Sequence, residues 1–170
     1  GQSRMQLGLN IVFLLLGIGA ACLFFLSQQK KQVVPPSGKG AAQQVLALSM
    51  LDDASASTRM EGVSYAAKLT NVNGKVIAAL LATLNNDPNA NVRLMALETL
   101  ARFADDASVR TGLLESIAHQ DSPLLLAAIA DVMVRLQEKR SVGPLRKVLD
   151  KKDINVVVKQ KVEQSIYKLL

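Results

Sequence analysis

Apolar residues recur three and four positions apart along most of this chain, the spacing of one face of an α-helix. Val92, Ala96, Leu100 and Phe103 form one such stripe, and Leu125, Ile129, Met133 and Leu136 form another. Ile77, Leu80, Leu81 and Leu84, and then Val109, Leu113, Leu114 and Ile117, supply further stripes. Polar breaks separate them at Asn71-Val-Asn-Gly74, Ala104-Asp-Asp-Ala107 and Glu138-Lys-Arg-Ser141. The pattern predicts helices over 41–52, 57–69, 74–84, 89–103, 107–119, 122–137, 141–150 and 155–169. Asp87-Pro88 and Ser122-Pro123 place a capping-type residue before a proline, which a first helical turn tolerates because its missing amide hydrogen has no helical partner there. Asp153 and Ser57 are the corresponding cap candidates for two further helices. Each predicted unit is a helix, a tight turn, a second helix and a second turn.

The N-terminal pattern differs. Leu7 to Leu26 runs 20 residues without a charge, with Asn10 its strongly polar member. A helix of that length is about 30 Å long, the thickness of a bilayer core. Residues 7–26 are therefore expected to form one transmembrane helix after a tail over 1–6. Arg4 and Gly19-Ala20-Ala21 also offer elements of a cleaved signal, and Cys22 a weak lipidation site. The apolar run through Cys22-Leu-Phe-Phe-Leu26 favours an uncleaved anchor. Residues 27–40 carry the Pro, Gly, Gln and Lys content of a flexible linker. From residue 41 to residue 170, Ala, Leu, Val, Lys, Glu and Gln dominate, as helices prefer.

The helical region repeats itself. Segments opening at Val92, Leu125 and Val158 lie 33 residues apart, and a looser copy opens at Thr58, 34 residues before Val92. A fixed period of this size marks stacked units that cannot bury their apolar faces alone. The run Asp87-Pro-Asn-Ala-Asn-Val-Arg-Leu-Met-Ala-Leu-Glu-Thr-Leu resembles a HEAT repeat of the short kind, while the ankyrin Thr-Pro-Leu-His and tetratricopeptide Trp-Leu-Gly-Tyr patterns are absent. The resemblance implies an all-α, HEAT-like α-solenoid of helix hairpins, here preceded by one transmembrane helix. It implies protein–protein interaction rather than catalysis. Such a stack offers a groove lined by the second helix of each hairpin, where exposed positions around Lys75, Thr83, Arg110, Glu115 and Arg146 are the candidate contacts.

Residues 57 to 136, with Gly62-Val-Ser-Tyr65, Leu81-Ala-Thr-Leu-Asn-Asn-Asp-Pro88, Arg102-Phe-Ala-Asp105 and Gln120-Asp-Ser-Pro-Leu124, further resemble the C-terminal HEAT domains of bacterial membrane proteins related to anti-sigma factors. That group carries a zinc-binding segment before its membrane helix, and no Cys and His cluster precedes Leu7. The resemblance implies a single-pass protein of the bacterial inner membrane with a periplasmic solenoid. Lys30, Lys31 and Lys39 after the span argue for the opposite orientation by the positive-inside rule.

The formal charge of +6 is unevenly placed. Residues 41–138 hold seven basic and eleven acidic residues, whereas 139–170 hold nine basic and three acidic. Lys151, Lys152, Lys159 and Lys161 in that basic end are candidates for anionic lipid or nucleic acid. Tyr167 is the sole aromatic residue there and no base-reading motif accompanies it, which disfavours nucleic acid and favours a solvated end cap for the stack. Glu98 and Asp131, one period apart, and Arg93 are expected to form a structural ladder between units. With one cysteine and one histidine, no disulfide framework or Cys/His metal cage can be built. No Gly-rich phosphate loop or nucleophile elbow occurs, so no cofactor, small-molecule substrate or enzyme activity is expected. His119 reads as a helix-end residue and Met95 and Met133 as core.

Overall fold

The computed structural model describes residues 39–151 and 154–170. They belong to one compact unit, Ser37–Leu170. Among the described residues eight α-helices follow one another: α1 Lys39–Leu51, α2 Ala56–Ala66, α3 Gly74–Asn86, α4 Ala90–Arg102, α5 Ala107–His119, α6 Pro123–Arg135, α7 Val142–Leu149 and α8 Val156–Leu169. A 3-10 turn, Lys139–Ser141, precedes α7. All eight helices anticipated from the periodicity are present, with ends displaced by a few residues.

The helices form two layers. In layer A, α2, α4, α6 and α8 stack in order, and in layer B α1, α3, α5 and α7 do the same. Helix α1 packs along α2, α3 along α4, and α7 along α8, whereas α5 meets α6 at few points. One continuous core runs between the layers from Ala47 to Leu169. Val92, Ala96 and Leu100 of α4, Leu125, Ile129 and Met133 of α6, and Leu80 and Leu84 of α3 are fully inaccessible. No unit could bury these side chains alone, so stacking is the step that removes them from water.

Two glycines set how closely neighbours approach. A β-carbon on Gly62 of α2 would sit 2.8 Å from the Met50 β-carbon and 3.0 Å from the backbone of α1. One on Gly112 of α5 would strike the tip of the Leu81 side chain on α3.

The helix starts obey a rule only partly anticipated. Asn73, Asn89 and Asn155 cap α3, α4 and α8, each side-chain oxygen accepting two backbone N–H groups of the first turn. Asp87 was the expected cap of α4, but the cap is Asn89, two residues on. Ser122 stands at the cap position of α6 without a side-chain bond, and Ser55, not Ser57, stands before α2 in the same way. Asp153 lies outside the described residues. Helix α6 ends in a Schellman turn: Glu138 N–H reaches Met133 O at 2.9 Å and Gln137 N–H reaches Val134 O at 3.0 Å. Gln137 holds φ 51°, a left-handed conformation usually given to glycine.

The membrane expectation is corrected here. Among the described residues no helix is long and apolar enough to cross a membrane. The longest, α8, has 14 residues and spans about 21 Å, short of a bilayer core of about 30 Å. The fold described is thus an all-α repeat stack, and among the described residues no membrane helix supports the expected single-pass inner-membrane placement. Residues 7–26, where that span was expected, and most of the linker lie outside the described residues.

Candidate interaction surface

Several ion pairs join one unit to the next. On layer A, Arg135 of α6 reaches Glu98 of α4 at 2.7 Å, and Lys161 of α8 reaches Asp131 of α6 at 2.6 Å. Glu98 and Asp131 therefore do form rungs between units, each with a cation on the next layer A helix. Arg93 belongs to a separate ladder. It donates to Leu84 O at 3.1 Å and to the Gln120 side-chain oxygen, and approaches Asp121 at 3.5 Å.

The corresponding rung one unit earlier is the tightest. Arg59 grips Asp87 through two bonds of 2.6 and 3.0 Å and also donates to the carbonyls of Asp53 and Ala54. Burial pushes the Asp87 carboxyl up. The Arg59 hydrogen bond, the Asn89 amide and the charges of Arg59 and Arg93 outweigh it and hold the carboxyl below its ordinary value. The bond to Asp87 likewise raises Arg59. Asp87 is thus a structural anion spanning two units, and its role was missed because the same residue type suits a helix cap.

At the opposite edge Glu138 gathers Arg140, at 2.8 Å through two nitrogens, and Arg110 of α5 at 3.5 Å. The Arg140 hydrogen bond, against the opposing effect of burial, brings Glu138 down to about 2. Gln120, almost fully buried, was also missed. Besides Arg93 it bonds the Asn85 side chain at 3.1 Å, and its carbonyl accepts from Lys151 at 3.3 Å. Its distance of 27 residues from Arg93, close to the Arg59-to-Asp87 spacing of 28, was the available signal.

The five residues expected to line a groove lie on helices of layer B. Lys75, Glu115 and Arg146 are exposed and, among the described residues, take part in no ion pair. Lys147 beside Arg146 shares that state. Two of the five candidates differ. Thr83 is buried, its hydroxyl donating to Ala79 O at 2.9 Å, and Ser116, one period later, repeats this with Gly112 O at 2.8 Å. A short hydroxyl that returns to its own helix is compatible with burial, so Thr83 contributes packing rather than surface. Arg110 is half-buried and committed to Ala104 O, Leu136 O and Glu138. On layer B three of the five candidates are thus exposed charges outside any ion pair among the described residues, and Ala78, Ala82 and Ala118 are exposed on the same layer.

The basic end is partly consumed by the fold. Lys161 pairs with Asp131 and Lys151 donates to Gln120 O; Lys159 is exposed, and Lys152 lies outside the described residues. Exposed Lys159, Gln160, Glu163, Gln164 and Lys168 lie on α8, with exposed Val156 and Val157 at its start and Tyr167 and Leu170 at and just past its end. His119 is exposed, its ring Nδ1 3.0 Å from Glu115 O at the end of α5. Among the described residues no group of three or more His, Cys, Asp or Glu side chains is placed to hold a metal ion.

The family model of HEAT repeats matches residues 77–166, more than half of the chain. The chain belongs to the HEAT-repeat family. HEAT-repeat solenoids are commonly protein-interaction scaffolds and typically lack catalytic activity, and this HEAT protein has the two-layer stack of that class. No curated protein and no solved structure matched the chain.

Proposed function

We propose that this HEAT protein is an interaction scaffold whose partner binds across layer B. The observation that carries the reading is the set of exposed alanines 78, 82 and 118 on layer B, flanked by charges that join no ion pair among the described residues. Glu98, Asp131, Arg135 and Lys161 on layer A are spent on each other, while Lys75, Glu115, Arg146 and Lys147 on layer B remain free among the described residues. Charges already paired within a fold have little left for a partner, whereas free charges flanking small side chains offer both steering and close approach.

Charge reversals test this directly. Lys75→Glu, Glu115→Lys and Arg146→Glu on layer B are expected to abolish capture of a partner from the source cells. A matched pair on layer A, Glu98→Lys with Arg135→Glu, is expected to leave it intact. Equal loss from both faces would refute the assignment.

In the finer form that the resemblance of residues 57–136 implies, the scaffold is the sensing half of an anti-sigma-like regulator. A zinc-binding Cys and His segment encoded upstream in the complete gene would support that form, and its absence there would remove it.

A further inference from the structure

The C-terminal ends of α1 and α3 lie side by side and border an open cleft of about 530 Å³, within the size range of ligand-binding pockets. Leu48 and Leu51 of α1 and Ala79 and Ala82 of α3 supply an apolar lining, and Asp52 and Asp53 stand at its edge. Among the described residues Arg59 is the one cation lining the cleft, and its guanidinium is occupied by Asp87 and by two backbone carbonyls. Asp52 and Asp53 are exposed and, among the described residues, join no ion pair; Asp53 accepts the Ser55 N–H at 2.7 Å.

Four sources of negative potential therefore converge on an apolar hollow: two carboxylates that join no ion pair among the described residues, and the carbonyl ends of two adjacent helices. The wider field has the same sign. Residues 41–138 hold eleven acidic and seven basic residues, and Arg59, Arg93, Arg110 and Arg135 among the basic ones are already in ion pairs.

We infer that this cleft takes a lysine or arginine side chain from a basic segment of the partner protein. The aliphatic stem lies on Leu48, Leu51, Ala79 and Ala82, and the cationic head is held by Asp52 and Asp53. Long basic side chains bury their stems and keep their charge at a polar rim, which is the division this cleft offers. An all-apolar side chain would fill the same space but leave the two carboxylates unanswered. The inference rests on the scaffold reading above and names the chemistry of the partner at one point of layer B.

The unit Ser37–Leu170 has its own continuous core, so it serves as the test protein. The 15N-labelled unit would be titrated by NMR with the Nα-acetyl methylamides of lysine, arginine, norleucine and glutamate. Lysine and arginine are expected to shift the amides of 51–53 and 79–87 at roughly tenfold lower concentration than norleucine, and glutamate not at all. Asp52→Asn with Asp53→Asn should erase the preference for cations over norleucine and leave the rest of the spectrum unchanged. Ala82→Leu, at an exposed site, should weaken lysine and norleucine alike by filling the hollow. Equal response to norleucine and lysine, or shifts centred elsewhere, would overturn the inference. If that happens while the layer B reversals still abolish partner capture, the scaffold reading stands and only the chemistry of this cleft falls.

Discussion

Glu138 ties three elements together, and replacing it with glutamine measures what that tie contributes. Its backbone closes the Schellman turn of α6, its carboxylate accepts from Arg140 and Arg110, and its carbonyl accepts the Ser141 hydroxyl at 2.7 Å. The carboxyl is lowered from 4.5 to about 2. A group depressed on folding stabilises the native state fully above its unfolded-state value and loses that contribution as the pH falls toward the folded value. The full shift corresponds to about 3 kcal/mol. Arg140 is 60% exposed, so solvent screening reduces the expected contribution to about 2 kcal/mol. Urea unfolding of the wild type and Glu138→Gln, followed by helical circular dichroism, should show that gap at about pH 7 and less than half of it by about pH 3. Other carboxylates titrate in both proteins, so the difference between the two isolates Glu138. A gap constant across this range would refute the ion-pair account and leave the backbone turn as the stabilising element.

Other outcomes follow from the same geometry. Gln137→Gly should stabilise by about 1 kcal/mol, read as a higher urea midpoint, because glycine adopts the left-handed conformation at φ 51° without steric cost. Gly62→Ala should cost about 2 kcal/mol, since its β-carbon meets fixed backbone of α1, whereas Gly112→Ala should be near neutral because the Leu81 tip can turn aside. Asn89→Ala and Asn155→Ala should each cost about 1 kcal/mol, while Ser122→Ala and Ser55→Ala, whose side chains make no cap bond, should change thermal stability little. Leu100→Ala, at a fully buried site in α4, should cost about 3 kcal/mol by cavity formation, again read from denaturant unfolding.

The helices and their repeat were legible in the sequence because burial between two layers imposes one apolar stripe on each segment, and the 33-residue recurrence of Val92, Leu125 and Val158 counts the units directly. Partnerships between units were less legible. Asp87 can cap a helix or bond an arginine, and only the stacking of α2 against α4 brings Arg59 near enough to decide. Thr83 looked like surface because hydroxyls favour water; the deciding bond to Ala79 O is a matter of rotamer, on which composition is silent. Lys75, Glu115 and Arg146, expected on the second helices of the hairpins, are exposed on layer B. Gln120 illustrates the remaining gap, since a buried amide that joins Arg93, Asn85 and Lys151 exists only once three turns have met.

The sparse meeting of α5 with α6 has a mechanical consequence. In a stack where each unit holds only its neighbours, resistance to pulling is set by the weakest joint, not by the sum of all joints. Across the seam between α5 and α6 the stack is held by α4 against α6 and by α5 against α7, so the seam itself is a compliant line within it. Stretched from its ends, the molecule should lengthen there first and reclose there last, so a bound partner that bridges the seam would stiffen the whole chain as a splint does.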